Sequence, residues 1–274
     1  MKTVAVLSQG GGASPDAKSG LGYPAVVLAA RAGQTAAVVA LARGGADLEA
    51  PDPGDHTALR AAARAGHAGT VRALLACGAQ PNAADQDGTT ALMAAAREGH
   101  AEAVHALLVG GAAVDAADSH GETALIKAAR NGEATCAQLL VEARASLAAR
   151  GSWVGTAKKT AQEWAEEGDF TELAAFLADP SDKQRQEALA QHILDEKLYV
   201  AARDGDAEEL GRLAARGASP DAKLRGDPAV CLAAAGGHGA AVTALVGLVS
   251  LTVAAGNLGC VFQRSQAMIL VTGG

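Results

Sequence analysis

Aromatic residues are nearly missing: phenylalanine, tyrosine and tryptophan together make up 3% of the 274 residues. That scarcity argues against a core of stacked rings and against a stacking platform for nucleic acid. Cysteine is also sparse. Cys77, Cys136, Cys231 and Cys260 lie far apart, with no CxxC pair and no His/Cys cluster at metal-ligand spacing. Neither a disulfide framework nor a metal site is implied, and a reducing, intracellular compartment is expected. Positive charge is not in excess either. A formal net charge of −7 and a pI near 5.5 leave no whole-chain field to hold a phosphate backbone, which disfavours a nucleic-acid binder. The opening MKTVAVLSQGGG has one lysine and an apolar run of about five residues, shorter than the ~7–15 of a secretory core, so no cleaved signal is expected.

Small side chains are abundant, with 69 alanines and 33 glycines. At 49% hydrophobic and 19% charged the chain is globular in composition, and its length allows one or two domains with a real core. Stability has to come from the close approach of many small faces.

Comparing the sequence with itself shows how those faces are arranged. GDHTALRAAARAGH at 54–67, DGTTALMAAAREGH at 87–100 and HGETALIKAARNGE at 120–133 superpose, with Thr57, Thr90 and Thr123 at intervals of 33. The segments after them agree too: TVRALLACGAQPN, AVHALLVGGAAVD and TCAQLLVEARASL. Such a period implies stacked supersecondary units, each too thin to bury its own face. Within one period, Thr-Ala-Leu opens a helix with a hydroxyl at its N-terminus. Ala61–Ala63 or Ala94–Ala96 give that helix a side small enough for a neighbour, and Gly66 or Gly99 ends it. A second helix carries Val71, Leu74 and Leu75, or Val104, Leu107 and Leu108, on one face, and Gly78 or Gly111 closes it in a left-handed cap. The polar stretch to the next threonine has the residues of a tight hairpin or loop.

This period, with T-A-L, A-A-x-x-G-H, L-L-x-x-G-A and an aspartate five residues before the threonine, resembles the ankyrin repeat. The resemblance covers roughly residues 12–179 and 195–248. An earlier copy has Pro24, and a later one Pro228, in the threonine position. The departures are specific: TALR, TALM and TALI stand where the family usually has T-P-L-H, so Ala replaces proline and Arg60, Met93 and Ile126 replace histidine. The fourth unit has Ala143-Arg144 where Gly-Ala is expected. The fifth, GSWVGTAKKTAQEWAEEGDF, carries about four inserted residues in its hairpin and reads as one residue short in its first helix.

The resemblance implies an all-α solenoid of about seven helix-turn-helix units with short β-hairpin-like tips. The expected organisation is an unstructured N-terminus (1–11), an array of about five units (12–179), a connecting helix (180–197) that can run on into a sixth unit, a second short array (198–250) and a non-repeat tail (251–274). From Pro228 to Gln263 there is no charged residue. The 16 apolar residues at 240–255 fall just short of the ~18–20 of a membrane span, leaving a buried terminal helix, a membrane anchor or a segment without a native fold as readings.

Catalytic patterns do not emerge. SQGGGASP at 8–15 has proline where GxGxxG needs glycine, and GxxxxGK is missing. His67, His100 and His238 sit at the Gly-His junction between paired helices, which is a structural position in the resembled family. Adjacent Glu166-Glu167 and Glu208-Glu209 point apart on helices and read as solvated surface. No cofactor is implied. Trp153 and Trp164, both in the irregular fifth unit, read as a local plug or as an anchor for a partner.

Arg31, Arg64, Arg97 and Arg130 recur every 33 residues, with Arg203 matching in the sixth unit, and in a stack they form a row. Asp52, Asp85 and Asp118 repeat on the hairpins, where they read as turn supports. By the resemblance, the first helices and the tips contact partners. The candidate binding residues are therefore Arg64, Arg97, Glu98, Arg130 and Asn131 from the groove, with Gln86, Asp87, Thr89, Ser119, His120 and Glu122 from the tips. The arginine row suits an acidic segment of another protein. The expected role is a noncatalytic scaffold or adaptor, cytoplasmic or nuclear. The alternative is a membrane-tethered adaptor using 240–255.

Overall fold

A computed structural model of the chain describes residues 14–152, 157–219, 223–224 and 227–248. The helices come in pairs: α1 Ala25–Arg31 with α2 Thr35–Arg43, α3 Ala58–Arg64 with α4 Ala68–Ala76, α5 Ala91–Arg97 with α6 Ala101–Val109, α7 Ala124–Asn131 with α8 Ala134–Glu142, and α9 Ala161–Glu167 with α10 Thr171–Ala178. Each first helix packs on the next first helix, α1 on α3 through to α7 on α9, while α2, α4, α6 and α8 stack in a second layer. This is the all-α solenoid that the ankyrin resemblance implies, and the strand content is nearly nil among the described residues.

Local chemistry sets where each first helix begins. The hydroxyls of Thr57, Thr90 and Thr123 accept the backbone N–H of Arg60, Met93 and Ile126, satisfying one orphan donor of the first turn. Thr160 and Glu163 close a full capping box on α9. Pro24 opens α1 without a side-chain cap. Two layers then form because alanine lets the helices approach: Ala62, Ala63, Ala95, Ala96, Ala128 and Ala129 are fully buried between neighbours. Leu59, Leu92 and Leu125 from the first helices and Leu74, Leu107 and Leu140 from the second fill the space between layers.

Two side-chain systems tie repeat to repeat. At the helix-helix turn, His67 Nε2 donates to the carbonyl of Arg31 at 3.2 Å and His100 Nε2 to that of Arg64 at 3.0 Å. Each imidazole lies over the left-handed glycine that ends the preceding first helix. A Cβ on Gly66 would stand 2.7 Å from His100, so glycine is required there for space as well as for backbone angle. A second system escapes the sequence reading: Asp16, Glu49, Asn82 and Asp115, also 33 apart, accept the backbone N–H of Asp47, Gln80, Ala113 and Ser146 at 2.7–2.8 Å. Each bond spans 31 residues and anchors the end of one repeat to the next.

The fifth repeat corrects one expectation. Its first helix is not short: α9 has seven residues, as α3 and α5 do. The turning residue is Asp169 at φ 59°, one place after Gly168, because a short polar side chain tolerates the left-handed region. The glycine expected at 143 belongs one place on: Arg144 is the residue 33 after Gly111 and 66 after Gly78, and it likewise adopts φ 66°. Trp164 is buried and its Nε1 donates to the Gly151 carbonyl at 3.4 Å, so it plugs the enlarged hairpin. Trp153 lies outside the described residues.

The chain divides into two compact parts, residues 1–185 and 186–274. The expected connecting segment and the first helix of the sixth unit form one helix, α11 Lys183–Asp204. The second part continues with α12 Ala207–Ala215, the short strands β1 Lys223–Leu224 and β2 Asp227–Pro228 in an antiparallel pair, α13 Ala229–Ala235, and helix over 239–248. Leu198, Ala202, Leu210, Leu213, Ala233 and Leu245 form its core. Asp195 accepts the Ser219 N–H at 2.7 Å, much as the acceptors of the first part do. The segment 240–255 is helical as far as residue 248, and the rest of it, with the tail 251–274, lies outside the described residues. Among the described residues no helix is long and apolar enough to cross a membrane.

Candidate functional site

The first helices and the hairpin tips enclose two adjoining cavities that share Arg60 and Arg64. The tips of the second, third and fourth repeats are each built around an aspartate. Asp85 Oδ1 accepts the N–H of Asp87 at 3.0 Å and of Thr89 at 2.7 Å, and Asp118 Oδ1 accepts those of His120 and Glu122, both at 2.9 Å. Asp52 does the same for Gly54 and His56. These bonds turn the tip and leave the side chains of Gln86, Asp87, Ser119 and His120 exposed.

The second carboxylate oxygen of each aspartate finds a different partner. Asp52 faces His56 Nδ1 at 3.3 Å within its own tip. Asp85 Oδ2 meets Arg60 Nη2 at 2.9 Å, reaching back to the first helix of the preceding repeat. Asp118 Oδ2 meets Lys127 Nζ at 2.6 Å from its own α7. Burial holds the Arg60 guanidinium below its ordinary pKa, against the raising influence of Asp85. Its Nε is buried without a hydrogen-bond partner among the described residues.

The first cavity, about 400 Å³, is walled by Tyr23, Arg31, Asp52, His56, Arg60 and Arg64 among others. The second, about 290 Å³, gathers Arg64, Arg97, Glu98, Asp87, Thr89, His120 and Glu122 of the predicted residues, with Arg60, Asp85, Met93, Asp118 and Lys127 besides. Arg64 is well exposed, with Nε 3.9 Å from Glu98. Arg97 donates through Nε and Nη2 to the adjacent Glu98 at 3.2 and 3.0 Å.

Four predicted residues line neither cavity: Gln86, Ser119, Arg130 and Asn131. Ser119 uses its N–H to bond the Asp87 carbonyl at 2.8 Å, joining two tips. Asn131 Nδ2 donates back to the Lys127 carbonyl at 2.8 Å. Arg130 and Glu122 are not open to solvent in the way the sequence reading expects. Glu122 is 0% exposed, and its carboxylate oxygens take Lys127 Nζ at 2.9 Å and Arg130 Nη1 at 2.6 Å. The Arg130 guanidinium also stands 5.8 Å from the Trp164 ring, with Lys159 at 4.8 Å. A carboxylate buried there requires both cations, which makes these residues part of the repeat interface.

The wall residues that the sequence reading passed over are Tyr23, His56, Arg60 and Lys127. One signal for them is visible in the repeats: Arg60 and Lys127 are charged where the aligned copies carry Met93, and Ala61 and Ala94.

A family model described as ankyrin repeats, in three copies, matches residues 2–85 and 70–150, more than half of the chain. The chain belongs to the ankyrin-repeat family. No curated protein matches it. Ankyrin repeats in general mediate protein–protein interaction, and the family is typically noncatalytic. In this ankyrin array the first helices and tips carry these two adjoining cavities, each with charged side chains on its wall.

Proposed function

We propose that the protein is a noncatalytic scaffold or adaptor that binds another protein along the groove made by the first helices and hairpin tips of its ankyrin array. The observation that supports this reading most directly is the division of side chains. Alanines and leucines are buried between repeats, while the exposed residues Arg64, Asp87, Arg97, Glu98 and His120 together line the second cavity. Recognition there is polar, through charged and hydrogen-bonding groups held on rigid elements. The bound partner presents an extended or helical segment with acidic character. The cytoplasm or nucleus suits a protein whose Cys77, Cys136 and Cys231 are free thiols.

Affinity capture with the wild type beside an Asp87→Lys/His120→Glu variant tests the reading. Both side chains are exposed, and only their backbones serve the tip, so the helical spectrum should be retained. Loss of a subset of captured proteins is expected. Identical captured sets would overturn the groove assignment.

A further inference from the structure

The four arginines that recur every 33 residues have different fates in the fold. Arg130 is held by Glu122 at 2.6 Å and half-buried. Arg97 is clipped onto Glu98 at 3.0 Å. Arg64, with 60% of its side chain exposed, shares that same Glu98 oxygen at 3.9 Å. Arg31 is exposed and makes no ion pair among the described residues. Cationic capacity is therefore graded along the row, and it is greatest at the end nearest the N-terminus.

The cavity walls follow the same gradient. Around the second cavity stand four cations, Arg60, Arg64, Arg97 and Lys127, against five carboxylates. Around the first stand Arg31, Arg60 and Arg64 against Asp52 alone. Asp52 is already engaged, accepting two N–H groups through Oδ1 and facing His56 through Oδ2. Arg60 is matched by Asp85 on the other side. Arg31, without an ion pair among the described residues, and Arg64, only loosely paired with Glu98 at 3.9 Å, thus remain as two exposed cationic residues lining one cavity, with Tyr23 beside them.

We propose that this first cavity is an anion-receiving subsite, taking the carboxylate or phosphomonoester of an acidic side chain in the bound protein segment between Arg31 and Arg64. The assignment rests on the groove reading and narrows it: the arginine row does not grip acidic residues along its whole length, but at one end. Two guanidinium groups facing one oxyanion allow forked hydrogen bonds from both sides, which a single lysine-like charge does not. A volume of about 400 Å³ is ample for one such side chain.

The probes are two fluorescein-labelled octapeptides of equal charge, one of glutamates and one built on phosphoserine, with an octalysine peptide as control. They are titrated into the full chain at low ionic strength, with NMR observation of the arginine Nε–H signals. Binding of either acidic peptide should move the Arg31 and Arg64 signals first, and the tighter peptide identifies the oxyanion source. An Arg31→Gln/Arg64→Gln variant should bind at least about fivefold more weakly, and the exposed Arg72→Gln on α4, outside both cavities, within about twofold of wild type. Equal losses in the two variants, signals moving first at Arg97, or no binding of either acidic peptide would overturn the subsite. The groove reading has its own separate outcome, since Asp87→Lys/His120→Glu lies outside this cavity and its capture result stands whether or not Arg31 and Arg64 bind anions.

Discussion

Lys127 Nζ lies 2.9 Å from the carboxylate of Glu122, and both side chains are buried where the two preceding repeats place Ala61 or Ala94 and His56 or Thr89. The pair answers a need shared by the tips built on Asp52, Asp85 and Asp118. Once the tip aspartate has turned the backbone with one oxygen, its other oxygen takes a second partner, His56 in the tip of Asp52. In the third repeat Arg60, from the first helix of the preceding repeat, is that partner. In the fourth, the corresponding position is Met93, and Lys127 serves from within. A buried cation with two carboxylates then recruits Arg130 to complete the balance.

Lys127→Ala should cost about 3–5 kcal/mol, since it leaves Asp118 and Glu122 buried with less countercharge. Adding Met93→Arg, which copies the Arg60 arrangement one repeat on, should recover about 1–2 kcal/mol. Urea unfolding of the single and double variants checks both figures. A double variant no more stable than Lys127→Ala would show that the two arrangements are not interchangeable.

Asp85→Ala should destabilise by about 2–4 kcal/mol, because it removes the acceptor of two backbone N–H groups and the partner of Arg60 together. Asp85→Asn keeps an oxygen for the backbone and should cost less. Hydrogen exchange at the Asp87 and Thr89 amides should accelerate in the alanine variant before the rest of the array is affected.

Core and groove should separate cleanly in mutational response. Leu107 is fully buried, and Leu107→Ala should cost on the order of 2–5 kcal/mol. The Arg97 side chain is 46% exposed, and Arg97→Ala should cost less than about 0.5 kcal/mol. Unfolding by Arg97→Ala with Leu107→Ala tolerated would reverse the roles given to the two surfaces.

Burial, aided by the charge of Glu133, pushes the Cys136 thiol from an ordinary 9.0 up to about 12. Between those values the unfolded chain releases a proton that the folded chain keeps, so this residue's contribution to stability is intact below pH 9.0 and declines as pH rises toward about 12. Alkylation at pH 8 followed by peptide mapping should label the exposed Cys77 and Cys231 and spare Cys136. Labelling of Cys136 at the rate of Cys77 would contradict its placement in the α8 interface.

Repetition made most of the architecture legible in advance. A threonine every 33 residues sets a cap, an alanine run sets a close contact and a glycine sets a left-handed turn, and each of these acts over a few neighbouring residues. The acceptor series Asp16, Glu49, Asn82 and Asp115 was equally periodic, but its members differ in residue type while sharing one oxygen geometry, so identity matching passes over them. The turn in the fifth repeat was misread because glycine was taken as its marker, and Asp169 performs the same turn.

The cavity wall was harder to read, for a physical reason. Spacing places Arg31, Arg64, Arg97 and Arg130 in one row and says nothing of which carboxylates meet them. That depends on contacts across repeats: Glu98 lies beside two arginines, and Glu122 turns inward to Lys127 and Arg130. Helix starts, turns and the stacking period are local or nearest-neighbour properties, and so they are written in the linear order of residues. Whether a charged side chain is free to meet a partner is settled by desolvation and pairing in three dimensions, and two identical residues 33 positions apart can differ in it completely.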